Sequence, residues 1–227
     1  MVRRSLKKVR TILALLLFLP GASFPFIKND KKIIIDTFTL CIDKKTTLPC
    51  GWRATRSDVT MFSLQQEAGD YFVRIQTHGG CTSIGKRVHA RPSKMPFLSW
   101  RWRVHILPTG GKENEKKKAD SGAGVYVVFK GPFRLNTILK YVWSATLPMG
   151  TVTTSPYNGR TKIIVLESGK ENLGKWIPEA VNVNDDYKRA FHAPPPEIVA
   201  VGILSDADNT RSNAAADYDD FYLGRSE

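Results

Sequence analysis

From residue 33 onward the chain alternates short runs of β-branched and aromatic residues with clusters of Gly, Pro, Asn and Asp. Ile33-Ile34-Ile35 leads into Phe38, Tyr71-Phe72-Val73-Arg74-Ile75 stops near Gly79-Gly80, and Phe97 to Leu107 stops at Pro108. Val125 to Phe129, Tyr141-Val142-Trp143, Thr161 to Leu166, Ile198 to Leu204 and Tyr218 to Leu223 follow. About eight or nine strands at this spacing predict an all-β sandwich or barrel with at most short helices. In Leu98-Ser99-Trp100-Arg101-Trp102-Arg103-Val104, alternation places Leu98, Trp100, Trp102 and Val104 on one face and the arginines on the other. The plain outcome is tryptophans in the core and arginines in water. The sharper one is a sheet face where Arg101 and Arg103 bind an anionic or sugar ligand through bidentate donors. Val125 to Phe129 is apolar on both faces and predicts a central strand. One short helix is expected over Asp185 to Phe191, ending before Pro194-Pro195-Pro196.

The first residues follow a different pattern. Five cations without an acid in MVRRSLKKVR precede the apolar run Ile12 to Leu19, then Pro20 and the small residues Gly21-Ala22-Ser23. This order predicts a secretory signal peptide over residues 1–23 and a single β-sandwich domain over 24–227, placed in the periplasm or secreted. The run is far shorter than the ~20 residues that cross a bilayer, so no transmembrane segment is expected beyond the signal. Arg3-Arg4-Ser5-Leu6-Lys7 also resembles a twin-arginine signal, which leaves the export route open. Removing these cations lowers the formal charge from +13 to about +8. The densest basic stretch, Lys112 to Lys118, lies in a Gly-rich segment and reads as a solvated loop. With no basic face interleaved with aromatics and no recognisable module, nucleic acid is not an expected partner.

The tokens Trp100-Arg101-Trp102, Asp120 ahead of Val125 to Phe129, Tyr141-Val142-Trp143, Ser168-Gly169, Trp176, Asp186-Tyr187 with Phe191 and Pro194, and Asp206-Ala207-Asp208-Asn209-Thr210 occur in this order. Together they resemble an exported bacterial family known as domain of unknown function 3047, from about Gly51-Trp52 to Leu223. The wider arrangement is similar to galactose-binding-like and carbohydrate-binding-module jelly rolls. The resemblance implies that fold, and it implies no activity, because such folds host enzymes, lectins and structural domains.

Candidate chemistry concentrates near the C-terminus, in Leu204 to Leu223, where five aspartates stand close together. Asp206-x-Asp208-x-Thr210 has the oxygen spacing of an EF-hand, with Asp217 at the twelfth position. Arg211 stands where that loop needs glycine, and the flanks are β, which argues against it. A structural calcium ion tying the first strand to the last would use Asp36 with Asp219 or Asp220; no other cofactor is expected. By alternation Asp219 and Phe221 share one face of the closing strand while Asp220 and Tyr222 share the other.

Catalytic patterns are sparse. There is no E-x-D-x-E strand, no G-x-S-x-G elbow and no C-x-x-C pair. Cys41 and Cys50 flank a polar loop that a disulfide would close, leaving Cys81 as a buried or free thiol. The favoured reading is a non-enzymatic binding module for a glycan or other cell-envelope component. Its ligand residues would be Arg101, Asp120, Trp143, Trp176, Asp206, Asp208, Asn209 and Thr210, with Tyr157 as a further aromatic. Two alternatives stay open: a hydrolase of an envelope polysaccharide acting through Asp120, Asp206 and Asp208, and a structural or assembly protein without a small ligand. The tryptophans are core packing or sugar platforms, and sequence alone leaves that choice open.

Overall fold

The computed structural model describes residues 32–39 and 41–226. The signal peptide expected over residues 1–23 lies outside the described residues. Two sheets pack face to face as a β-sandwich of jelly-roll type. One contains β1 (Ile33–Asp36), β3 (Phe62–Glu67), β4 (Asp70–His78), β6 (Phe97–Ile106), β11 (Ile177–Asn182) and β13 (Asn213–Gly224). Their order is β11-β6-β13-β4-β3, with β1 alongside the end of β13. The other holds β2 (Trp52–Ala54), β5 (Ile84–Ala90), β7 (Ala123–Phe129), β8 (Thr137–Ser144), β9 (Val152–Thr154), β10 (Thr161–Ser168) and β12 (Ile198–Leu204), in the order β2-β5-β12-β7-β8-β10-β9. The β8–β10 pair is parallel. No helix among the described residues is long and apolar enough to cross a membrane.

The core is aromatic. Trp100 and Trp102 point inward from β6 and meet edge to face, with ring centroids 5.4 Å apart. Trp100 stacks on Phe221 at 6.3 Å, and Trp102 meets Trp143 of the opposite sheet at 6.1 Å. All four rings are buried. Each removes on the order of 150–250 Å² from water, so the cluster contributes heavily to the apolar burial of the sandwich.

The closing strand β13 departs from simple alternation. Its ladder with β6 shifts between Asp219 and Tyr222, and Asp220 takes the left-handed conformation at φ 57°. One residue is bulged out. Tyr218 and Phe221 therefore both enter the core, while Asp217 and Asp219 meet arginines on the outer face. The expected sharing of one face by Asp219 and Phe221 is overturned by this bulge.

The α-helix α1 (Val183–Phe191) is set by its ends. The Asn182 side chain accepts from Asp185 N, and His192 closes the other end in the left-handed conformation. Tyr187 packs on Phe129 at 4.6 Å, and Tyr141 donates from its hydroxyl to Asp186 at 2.8 Å. Cys41 and Cys50 are joined in a disulfide with Cα atoms 5.2 Å apart.

Candidate functional site

The segment between β12 and β13 is fixed from two sides. Asp206 N donates to Ser121 O (3.0 Å), Ala207 N donates to Gly80 O (3.3 Å), and Asp206 forms an isolated bridge with Cys81. From below, the buried Asp120 carboxylate accepts four bonds. Oδ1 receives Asn209 N (3.2 Å) and Asn209 Nδ2 (3.1 Å); Oδ2 receives Thr210 N (2.7 Å) and Thr210 Oγ1 (2.6 Å). A carboxylate taking two backbone amides and two side-chain donors has little acceptor capacity left for anything else. Asp120 and Thr210 thus shape the loop instead of meeting a ligand.

What the clamp presents is an open cavity of about 380 Å³ lined by Arg56, Cys81, Tyr157, Asp206, Asp208 and Asn209. Tyr157 is 58% exposed. Its hydroxyl lies between Lys116 O, at 2.6 Å, and Asn209 Oδ1, which holds the ring in place. The Lys116 ammonium sits 5.7 Å from the ring centroid. Asn209 Nδ2 also donates to Asp208.

Beneath this cavity runs a buried polar row on β7 and β8. Lys140 Nζ donates to Ser121 Oγ at 3.0 Å and lies 5.5 Å from the Tyr126 ring. Burial works against the ammonium, but Tyr126, Asp206 and Glu113 outweigh it and raise its pKa. Glu113, fully buried, accepts from Ser144 Oγ at 2.6 Å and is itself raised by burial. Burial also raises Asp206; Lys140 opposes the shift, and the charges of Asp208 and Asp120 reinforce it.

Cys81 Sγ and oxygens of Asp206 and Asp208 lie within 4.8 Å of one another. Among the described residues this is the group with metal-ligand chemistry. Three donors fall short of the six to eight oxygens calcium takes. A softer ion would need the thiolate, and burial with the two aspartates pushes the Cys81 thiol up to about 12.

The remaining candidates lie elsewhere. Trp143 is buried between the sheets and donates from Nε1 to Gly169 O at 3.1 Å, so it is core and not a sugar platform. Arg101 is taken by Asp219, Asp70 and Asp220, and its guanidinium lies 4.7 Å from the ring of Trp176. Trp176 in turn packs on Phe72 at 5.4 Å, with Arg103 at 4.6 Å. Arg101 and Trp176 are thus partners in an ion-pair layer on the outer sheet face, and neither lines the Tyr157 pocket. The metal set also resolves into other contacts. Asp36 accepts from Phe38 N (2.8 Å), Trp52 Nε1 (2.8 Å) and Lys86 Nζ (2.7 Å), while Asp219 and Asp220 both face Arg101. Cations and N–H donors take both Asp36 oxygens and one oxygen each of Asp219 and Asp220, while the buried Asp219 Oδ1 has no hydrogen-bond partner.

Arg56, Lys140 and Glu113 are site or floor residues that sequence reasoning passed over, and sequence marks Cys81 only as a buried or free thiol. Glu113 stands in a run of lysines and offers no local sign of burial. Cys81 reaches Asp206 only because the β4–β5 turn meets the β12–β13 loop.

Several buried carboxyls carry a pH consequence. Burial, helped by the Glu167 charge, raises Glu179 from 4.5 to about 7; burial raises Asp219 from 3.8 to about 6 despite Arg101. Both hold a proton more tightly folded than unfolded, so their contribution favours the fold at acid pH and is lost as pH rises through these values. Their contribution to the melting temperature is therefore expected to be largest below about pH 4 and to fall toward about pH 7. Glu179→Gln should flatten that fall, and a melting temperature climbing steadily to neutrality would contradict the assignment.

No curated protein matches the sequence. Among solved structures, the chain is similar to a family 11 carbohydrate-binding module from Clostridium thermocellum in complex with a β-1,3-1,4-mixed-linked tetrasaccharide. Identity is 9%, the match covers 85% of this chain and 94% of that one, and the TM-score is 0.43. It is also similar to a cellulase derived from Cel12A of Rhodothermus marinus, at 13% identity over 72% of this chain and 84% of that one, TM-score 0.41. A third is the K1 cleaved adhesin domain of Lys-gingipain from Porphyromonas gingivalis W83, at 11% identity over 87% and 99%, TM-score 0.38. These are likenesses of chain layout. The family model described as "Protein of unknown function (DUF3047)" matches residues 51–222, and the chain belongs to that family.

Proposed function

We propose that the protein is an exported, non-enzymatic module, periplasmic or secreted, that binds a glycan or another cell-envelope ligand in the pocket at Tyr157. One observation carries this reading: an exposed aromatic ring, fixed through its hydroxyl, stands beside Asp206, Asp208, Asn209 and Arg56 in a concave site. An aromatic face packs against the C–H face of a sugar ring, and the carboxylates and amide offer acceptors for its hydroxyls. The cavity is of the size that small-molecule sites occupy.

Hydrolysis would need two carboxyls facing each other across a cleft. Asp206 and Asp208 lie two residues apart in one loop with their oxygens within 4.8 Å of each other, and the Asp120 carboxylate is filled by the loop it holds. Binding without cleavage fits this arrangement better. An assembly role without a small ligand would leave the exposed, fixed ring without a task.

The test is a glycan array probed with the full protein and with Tyr157→Ala. The wild type should retain one glycan class without releasing new reducing ends. Tyr157→Ala should lose that signal with a stability change within about 0.5 kcal/mol, as expected for an exposed side chain. An unchanged array pattern for the variant would remove the pocket from the account.

A further inference from the structure

The Tyr157 pocket adjoins a second concavity. The connection between β2 and β3 is tied to the β4–β5 turn at one end and braced within itself at the other. Thr55 N donates to Ser83 O at 2.9 Å, while Asp58 Oδ1 accepts from Thr60 N at 3.0 Å and Thr60 Oγ1 at 2.7 Å. Arg56 in this connection lines the Tyr157 pocket. Two residues on, Asp58 lines another cavity of about 390 Å³, together with Ser63, Gln76 and His78. The opposite wall is shared in the same way, with Cys81 in the first cavity and Gly80 in the second. That wall is rigid, since Thr77 Oγ1 donates to Gly80 O and accepts from Gly80 N, both at 2.9 Å.

The two cavities differ in what they offer. The first has the fixed aromatic ring of Tyr157 and a carboxylate floor. The second offers a carboxylate, a hydroxyl, an amide and an imidazole. Gln76 and His78 project from one face of β4, two residues apart, and both are exposed. A ligand with one stacking unit and a row of hydroxyls beyond it matches this sequence of surfaces; a single compact sugar would use the first cavity alone.

We propose that the ligand is an extended oligosaccharide chain laid from the Tyr157 pocket across the Arg56–Asp58 wall into the Asp58–Gln76–His78 cavity. This rests on the glycan-binding reading above and adds its substrate class. Once one unit is stacked on Tyr157, the next units reach the second cavity as an intramolecular event, so affinity grows with chain length.

The experiment is calorimetry of the full protein with glucan, chito-oligosaccharide and oligouronate series, each offered from dimer to hexamer. In the series that binds, the hexamer should bind at least about tenfold tighter than the dimer. A Gln76→Ala/His78→Ala double variant, with an unchanged melting temperature, should bring the hexamer down to the dimer's affinity. Equal affinity of dimer and hexamer for the wild type, or a length gain that survives in the double variant, would overturn the extended-chain proposal and leave the Tyr157 pocket standing. No binding by any series would overturn both.

Discussion

Replacing Asp217 with alanine is expected to destabilise the protein by about 3–5 kcal/mol, the range seen when one partner of a buried ion pair is removed. Asp217 sits on β13, its side chain fully buried, and gathers cations from two neighbouring strands. Arg74 of β4 donates Nε and Nη2 to its two oxygens at 2.7 and 2.9 Å. From β6, Arg103 Nε reaches it at 2.9 Å and His105 Nε2 at 2.7 Å. Burial alone would raise this carboxyl. The hydrogen bonds from His105, Arg74 and Arg103 overcome that and hold it down to about 2. Without it, the two guanidiniums face each other on one sheet with their shared acceptor gone. Urea denaturation of the wild type and Asp217→Ala gives the difference directly, and a loss below about 1 kcal/mol would place the pair among weak surface contacts. The pH dependence provides a second readout. A depressed carboxyl contributes stability above its unfolded value of 3.8 and loses it as pH falls through about 2, so the variant should lack this acid limb.

Trp143→Ala should cost a comparable amount, about 3–5 kcal/mol, because it removes a large side chain from a packed interior. Trp143 lies between the sheets, 6.1 Å from Trp102, and its indole N–H is satisfied by Gly169 O. Truncation would leave both a cavity and an unpaired carbonyl. The result separates the two roles open to this tryptophan. A sugar platform would lose binding at little cost in stability, whereas a core residue loses stability and leaves the pocket's residues in place. Chemical denaturation of Trp143→Ala, with Trp143→Phe as the milder companion, reads this out; a loss under about 1 kcal/mol for alanine would contradict core packing.

The pattern of the chain made much of this architecture readable. The alternation in Leu98 to Val104 placed Trp100 and Trp102 inside, the apolar run of β7 marked a central strand, and the prolines after Phe191 bounded the short helix. Strands β2, β3, β5, β9 and β11 escaped notice, and most of them for physical reasons; β2 has only three residues. β9 has three residues, β5 carries Lys86, Arg87 and His89, and β11 contains Pro178, which an edge strand tolerates. Along β8 the side chains from Leu139 to Ser144 are buried on both faces, so alternation could not tell Trp143 from an exposed platform.

The site was legible in part. Asp206, Asp208 and Asn209 of the loop singled out in the sequence line one cavity, and Tyr157 joins them across the fold. The roles of Asp120 and Asp217 were hidden because their partners are remote in sequence: Asn209 and Thr210 for the first, Arg74, Arg103 and His105 for the second. The bulge at Asp220 uses a non-glycine residue at positive φ, and no residue type announces it. Of the five aspartates near the C-terminus, Asp217 and Asp219 are therefore counter-ions of a sheet face, while Asp206 and Asp208 belong to the cavity.

The most direct test of the pocket is an amide chemical-shift titration of the isotopically labelled protein with the oligosaccharide retained on the array. The account predicts that the shifted resonances cluster at Arg56, Cys81, Tyr157 and Asp206 to Asn209. Shifts centred instead on the outer face at Arg101, Arg103 and Trp176, with those loops unmoved, would contradict it.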